Sequence, residues 1–161
     1  MKLTVSGLLK QKDLSKIPRI SHTGTLQEAL FVLNEFNTGS LLVMDGLSIV
    51  GIFSERDFAR ASAIRLSPIP MDTNIAELMS KTIIYVTPDY TLDECMAVMC
   101  KMKIRHLPVL EGNTPIALLS MRHIMEALVE ENQFMIGQLF AYITGSQTGE
   151  GKAHRSALII D

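Results

Sequence analysis

The sequence predicts an α/β (α+β) fold assembled from two copies of one β-α-β-β-α unit, packed by a pseudo-two-fold and followed by a C-terminal helix. Three observations predict it. Residues 25–61 overlay on residues 91–127 without a gap, at an offset of 66, and ten of the 37 paired positions are identical. Each copy opens with a Thr-Leu-x-Glu capping box, at Thr25–Glu28 and Thr91–Glu94. Each also places an acidic residue and a glycine between two apolar runs, at Asp45-Gly46 and Glu111-Gly112. A period this long is outside the usual solenoid repeats and two copies cannot make an array, so the copies are expected to pack face to face.

The elements follow in order. A lead-in precedes each copy, Val5–Leu9 and Ile75–Met79, and a short strand comes after it, Ile17–Ile20 and Ile83–Val86. In the capping boxes the threonine serves the N3 amide and the glutamate reaches back, which fixes where a helix starts. Leu26, Ala29, Leu30 and Leu33 then recur at helical spacing, as do Leu92, Cys95, Met96 and Met99. Strands Ser40–Met44 and His106–Leu110 lead through the glycine turns into Ile49–Phe53 and Ile116–Leu119, since such a dipeptide between apolar runs signals a hairpin. A second helix closes each copy, through Ile64 and Val129. The domain limits read as 5–66 for the first repeat, 67–74 for a linker marked by two prolines, and 75–131 for the second repeat. A separate helix over 132–144 follows, with Met135, Ile136, Leu139, Phe140 and Ile143 on one face, then a flexible tail over 145–161 whose apolar end is Ala157–Ile160.

Composition removes several function classes. A formal charge of −2 offers no general attraction to nucleic acid or anionic membrane, so any phosphate recognition must be local. No window of about 18 apolar residues exists for a membrane span, and the N-terminal apolar stretch is too short for a signal-peptide core. Cys95 and Cys100 lie five apart on a helix, about 140° from each other, which suits neither a disulfide nor a zinc knuckle. They read as buried small hydrophobes in a cytoplasmic protein. Met96, Met99 and Met102 read as gap-filling core, and no histidine stands at metal-ligand spacing from another ligand. Nor do the residues assemble a nucleophile with its base or a pair of pocket carboxylates, so no enzyme is expected.

The chemistry concentrates in Gly51-Ile52-Phe53-Ser54-Glu55-Arg56-Asp57-Phe58 and its counterpart from Ala117 to Ile124. Each runs an apolar strand into a serine that can cap a helix. A capped helix N-terminus presents free N–H groups and a positive dipole end, a seat for an anion. Ser54-x-x-Asp57 is also simply a capping box. Capping alone gives no reason for the basic pair Arg105-His106 to open the corresponding strand of the other copy, and a small anionic ligand between the repeats accounts for both.

These residues resemble a tandem CBS-domain protein, the two-repeat nucleotide-sensing arrangement also called a Bateman module. The resemblance spans Val5 to Glu131 and rests on the doubled β-α-β-β-α order, on the motif G-h-x-[T/S]-x-x-D at Gly51–Asp57, and on the basic strand entry Arg105-His106-Leu107-Pro108-Val109. It implies a CBS pair with no catalytic or transport domain attached. It implies further that Asp57 accepts from the ribose hydroxyls, with Ser54 beside the ribose or the phosphate. Adenine then lies against the strand Ile83-Ile84 and the side chain of Ile52 or Phe53, and Arg105, His106 and Arg122 reach the phosphates. A carboxylate can take both hydroxyls of a cis-diol and guanidinium forks match phosphate. The second pocket departs from the motif, with Ala117 for glycine and His123 for aspartate. Ile20, Ser21, His22, Ser40, Ser120 and His123 are expected to line it, weakly or selectively.

The function expected is that of a cytoplasmic sensor. It would bind an adenine nucleotide, AMP before ATP, NAD or S-adenosylmethionine, without a metal, and signal to a regulated enzyme or transporter. The alternative is a ligand-independent dimerisation scaffold. Apolar helix faces, Met121, Met125 and Met135 among them, are expected to form a homodimer.

Overall fold

In the computed structural model, which describes residues 3–144, helices begin where the sequence places its caps. Thr4 caps α1 (Val5–Gln11). A strand β1 (Arg19–Ser21) follows, and then Thr25 caps α2 (Leu26–Glu35) with Glu28 returning to the Thr25 amide. The same reciprocal box starts α3 (Glu55–Ala63) at Ser54 and α4 (Leu92–Met102) at Thr91. Two N–H groups that the helix itself cannot satisfy are thereby paired at each start.

Strands β2 (Ser40–Asp45) and β3 (Ser48–Ser54) form an antiparallel hairpin, and β1 joins β2 in parallel, giving the order β1-β2-β3. In the second repeat β4 (His106–Glu111) and β5 (Thr114–Ser120) form the matching hairpin. Gly46 and Gly112 turn these hairpins at φ +57° and +60°, the left-handed region where a side chain is disfavoured. The two hairpins carry the same irregularity, a register shift between Val43 and Met44 and between Val109 and Leu110.

The third strand expected of the second repeat does not form. Of Ile83–Val86 only Val86 pairs, bridging Val109. Proline explains the difference. In the first repeat the Leu42 N–H donates to the Pro18 carbonyl at 2.9 Å, and the residue matching Leu42 is Pro108, which has no N–H to give.

The lead-ins cross between repeats. The Val5 and Ser6 N–H groups donate to the Tyr90 and Pro88 carbonyls, both at 2.8 Å, so α1 is tied to the start of α4. Reciprocally, Leu26 donates to Thr73 and Ile75 to Gly24, which ties the 3₁₀ turn Ile75–Glu77 to the start of α2. Ile69, Ile75 and Leu78 are buried with Leu26, Ala29, Leu33, Leu41, Val43 and Phe53 in one core. The boundaries read at 67–74 and 75 therefore mark the sequence repeat, while packing runs across them. A smaller cluster of Leu42, Met44 and Leu118 joins the two sheets.

Met121–Thr144 is one uninterrupted helix, α5, where the sequence suggested a break before 132. The stretch Val129–Phe134 holds no glycine or proline, so nothing stops the helix. By contact the chain divides into Met1–Met121 and Arg122–Asp161. Along α5, Ile124 and Ala127 are buried, whereas Met125, Val129, Phe134, Met135, Ile136, Leu139, Phe140, Tyr142 and Ile143 are exposed. The tail expected over 145–161, with its apolar end Ala157–Ile160, lies outside the described residues. Among the described residues no helix is long and apolar enough to cross a membrane.

The cysteines differ from each other. Cys95 is buried, and burial, with the neighbouring Glu94 carboxylate, pushes its thiol up to about 11. Cys100 is exposed and so is not the buried residue expected. Met99 is core, but Met102 is about half exposed.

Candidate ligand cavity between the two repeats

The first wall is built by the β3–α3 junction. The Ser54 N–H and hydroxyl both donate to Asp57 Oδ2, at 2.8 and 2.6 Å, and the Asp57 N–H donates back to Ser54 Oγ at 3.3 Å. One carboxylate oxygen is thus committed to the cap. Oδ1 has no protein partner among the described residues and keeps its acceptor capacity.

Gly51 makes the second wall possible. Ile52 and Ser80 exchange backbone hydrogen bonds at 3.0 and 2.8 Å, so the chain after the 3₁₀ turn passes directly beside β3. A Cβ at Gly51 would run into Met79 Sδ and lie 3.0 Å from the Ser80 carbonyl oxygen. The glycine of the motif is required by this close pass, which lays Ser80, Thr82 and Ile84 along the cavity.

The opposite side comes from the second repeat, at the turn from α4 into β4. Lys103 holds a left-handed conformation, φ 54°, and its repeat counterpart Asn37 does the same at φ 47°. Across the gap the Arg56 guanidinium donates to the Lys103 carbonyl at 2.6 Å. The Ser40 hydroxyl and His106 Nδ1 lie 2.9 Å apart. The cavity between these walls measures about 340 Å³. Ile52, Ile84, Ile104 and Met102 give it an apolar stretch. Ser54, Asp57, Arg56, Arg60, Lys103, Arg105 and His106 give it a charged one.

Of the residues singled out in the sequence, Ile52, Ser54, Asp57, Ile84, Arg105 and His106 line this cavity. Phe53 does not. It is fully buried in the first repeat's core, because successive strand residues face opposite ways and Ile52 takes the cavity side. Ile83 is half-buried and outside the lining, and, with no strand at 83–84, the apolar wall is irregular chain. Arg122 is exposed on the first turn of α5.

The six residues expected to form a second pocket are distributed otherwise. Ser40 belongs to the cavity above, beside His106. Ile20 and Ser21 line a separate surface hollow of about 690 Å³ with Thr23, Gly24, Gln27 and Phe31. Register accounts for the separation: Ile20 pairs with Val43 while Ser40 pairs with Ser54, at the other end of β2. His22 Nδ1 lies 3.7 Å from Asp45 Oδ1 at the hairpin end of the sheet. Ser120 closes β5 opposite His106, and His123 is half-buried on α5.

Sequence reasoning passed over Arg56, Arg60, Ser80, Thr82, Lys103 and Ile104. A signal existed for Arg60, which stands three residues after Asp57 and so on the same helix face. Its repeat counterpart is Glu126, and a comparison of the copies therefore did not mark it. Among the described residues no group of three or more His, Cys, Asp or Glu could hold a metal ion.

The family model for the CBS domain matches residues 7–64 and 75–130. The mitochondrial CBS domain-containing protein CBSX3 of Arabidopsis thaliana is 28% identical over 150 residues, 88% of this chain and 72% of its own. A solved protein with CBS domains from Burkholderia ambifaria MC40-6 is 34% identical, with a TM-score of 0.74 over 79% of this chain and 94% of its own. Two further solved structures share the fold at 23% and 19% identity, with TM-scores of 0.67 and 0.64 over 81% of this chain and 99% and 98% of their own. One is a CBS domain pair in complex with 5′-methylthioadenosine and S-adenosylmethionine, the other CBSX2 in complex with AMP.

Proposed function

This chain belongs to the CBS-domain family, and from that premise we propose that it is a regulatory sensor that binds an adenine nucleotide between its repeats and does not turn it over. The observation that carries the reading is that a carboxylate of the first repeat, Asp57, and cations of the second, Lys103 and Arg105, line one cavity with an aliphatic stretch beside them. Such a cavity has the parts a nucleotide needs: an acceptor for ribose hydroxyls, cations for phosphate and an apolar slot for a flat base. That CBS proteins of the same fold hold S-adenosylmethionine or AMP supports the ligand class.

Signalling requires that the ligand bind one arrangement of the protein better than another. Arg56 and Lys103 tie the two repeats together at the cavity rim, so a ligand engaging both sides would alter that tie and report to a regulated enzyme or transporter in the cytoplasm. A second reading, a homodimerising scaffold, is favoured by the nine large apolar side chains exposed along α5. Native mass spectrometry of the purified chain tests both, since a bound nucleotide and the subunit count each appear as mass. Calorimetry with AMP, ADP, ATP, NAD and S-adenosylmethionine completes the test. Absence of binding by every ligand at millimolar concentration, with a dimer present, leaves the scaffold reading.

A further inference from the structure

We infer that the cavity selects adenine nucleotides with two or more phosphates, and that Arg60 is the residue that makes the selection; the inference rests on the sensor reading above. Four cationic side chains, Arg56, Arg60, Lys103 and Arg105, line the cavity against a single carboxylate, Asp57. Glu55, the nearest other acid along α3, lines a neighbouring hollow with Gly39 instead.

The four cations are not equivalent. Arg56 spends a guanidinium N–H on the Lys103 carbonyl and so holds the rim. The side chains of Arg60, Lys103 and Arg105 have no protein partner among the described residues. A monophosphate carries a charge of about −1.5 to −2 at neutral pH, less than these three cations offer. Each added phosphate supplies further charge and further acceptor oxygens for guanidinium forks. A sulfonium ligand brings positive charge to the same place and meets repulsion. Arg60 sits three residues, less than one helical turn, beyond Asp57, so a ligand held at its ribose by Asp57 extends its phosphate chain along that face toward Arg60.

The test is calorimetry on the full chain at one fixed salt concentration, with adenosine, AMP, ADP, ATP and S-adenosylmethionine, for wild type, Arg60→Gln and Arg60→Lys. The expected result is ADP or ATP binding about tenfold tighter than AMP, with S-adenosylmethionine weaker than AMP. Arg60→Gln removes about tenfold from ADP and ATP while AMP changes by less than about threefold, and Arg60→Lys recovers part of the loss. Because Arg60 is exposed and its side chain has no partner among the described residues, an unchanged melting temperature is expected for both variants. Wild type binding AMP or S-adenosylmethionine best, or Arg60→Gln weakening every ligand alike, overturns the inference and leaves the sensor reading standing. Binding of no adenylate removes both.

Discussion

Ser40 and His106 occupy the same position in the two repeats, 66 residues apart, and their side chains meet at 2.9 Å. Residues that are copies of each other can touch only beside the axis relating the copies. The reciprocal bridges of Thr4 with Thr91 and of Thr25 with Asn74 obey the same symmetry. The cavity therefore lies beside a pseudo-two-fold axis, and the sequence difference at this position, serine against histidine, is one source of asymmetry there. In a double-mutant cycle of Ser40→Ala and His106→Ala, the coupling energy from urea unfolding should be about 0.5–1.5 kcal/mol. Additive single-mutant effects would mean that the contact contributes nothing.

Asp57 caps α3, and in the proposed sensor it also accepts from the ribose. Asp57→Ala removes the acid at N3 of α3 and should lower stability by about 0.3–1 kcal/mol, read from the denaturation midpoint. Nucleotide affinity should drop by about tenfold or more. The sharper test compares AMP with 2′-deoxy-AMP: wild type should prefer the ribonucleotide, and Asp57→Ala should not distinguish them.

Gly51→Ala forces a methyl group against Met79 and the Ser80 carbonyl. Overpacking of this kind costs about 1–3 kcal/mol and presses on Met79 and on the irregular chain that carries Ser80, Thr82 and Ile84. Thermal unfolding should show the loss, and calorimetry should show weaker nucleotide binding in the protein that remains folded.

Ile75 is fully buried in the first repeat's core although it belongs to the second repeat by sequence. Ile75→Ala should cost about 2–5 kcal/mol. A fragment ending at residue 66 lacks Ile69, Ile75 and Leu78 and should show neither a cooperative melt nor dispersed amide resonances. A well-folded fragment would refute the exchange of lead-ins.

The two thiols should separate by reactivity. At pH 8 a disulfide reagent should modify Cys100 quickly and Cys95 only on unfolding, since Cys95 is buried and its thiol is held up to about 11. The stability consequence has a definite sign. The unfolded chain releases this proton near its ordinary value of 9.0 and the native chain near 11, so the Cys95 contribution is complete below 9 and declines as pH rises across that window. The slope is at most about 1.4 kcal/mol per pH unit. Comparing wild type with Cys95→Ala by chemical denaturation at pH 8 and 10.5 isolates it from lysine and tyrosine titration.

Much of the cavity was legible because its parts are local. Ser54 and Asp57 sit three apart in a capping box that forms wherever the chain goes, and Gly51 marks a close approach before its neighbour is known. Strand alternation could also have assigned Ile52 and Phe53 to opposite faces, and Pro108 could have warned that no full strand would form at 83–86. Arg60 and Lys103 were harder. On a helix surface a charge reads as solvated until the opposite wall is in place, and that wall comes from the other repeat.

The sequence by itself determined the doubled unit, the helix starts and the hairpins, because each depends on contacts within about four residues or on backbone angles that single residues impose. Only the tertiary structure decided which lead-in completes which core, that Ser40 meets His106, and that Arg56 reaches Lys103. The two side-chain contacts join residues 66 and 47 apart, the lead-in contacts are as distant in sequence, and all exist only after the apolar surfaces of both repeats have been buried against each other.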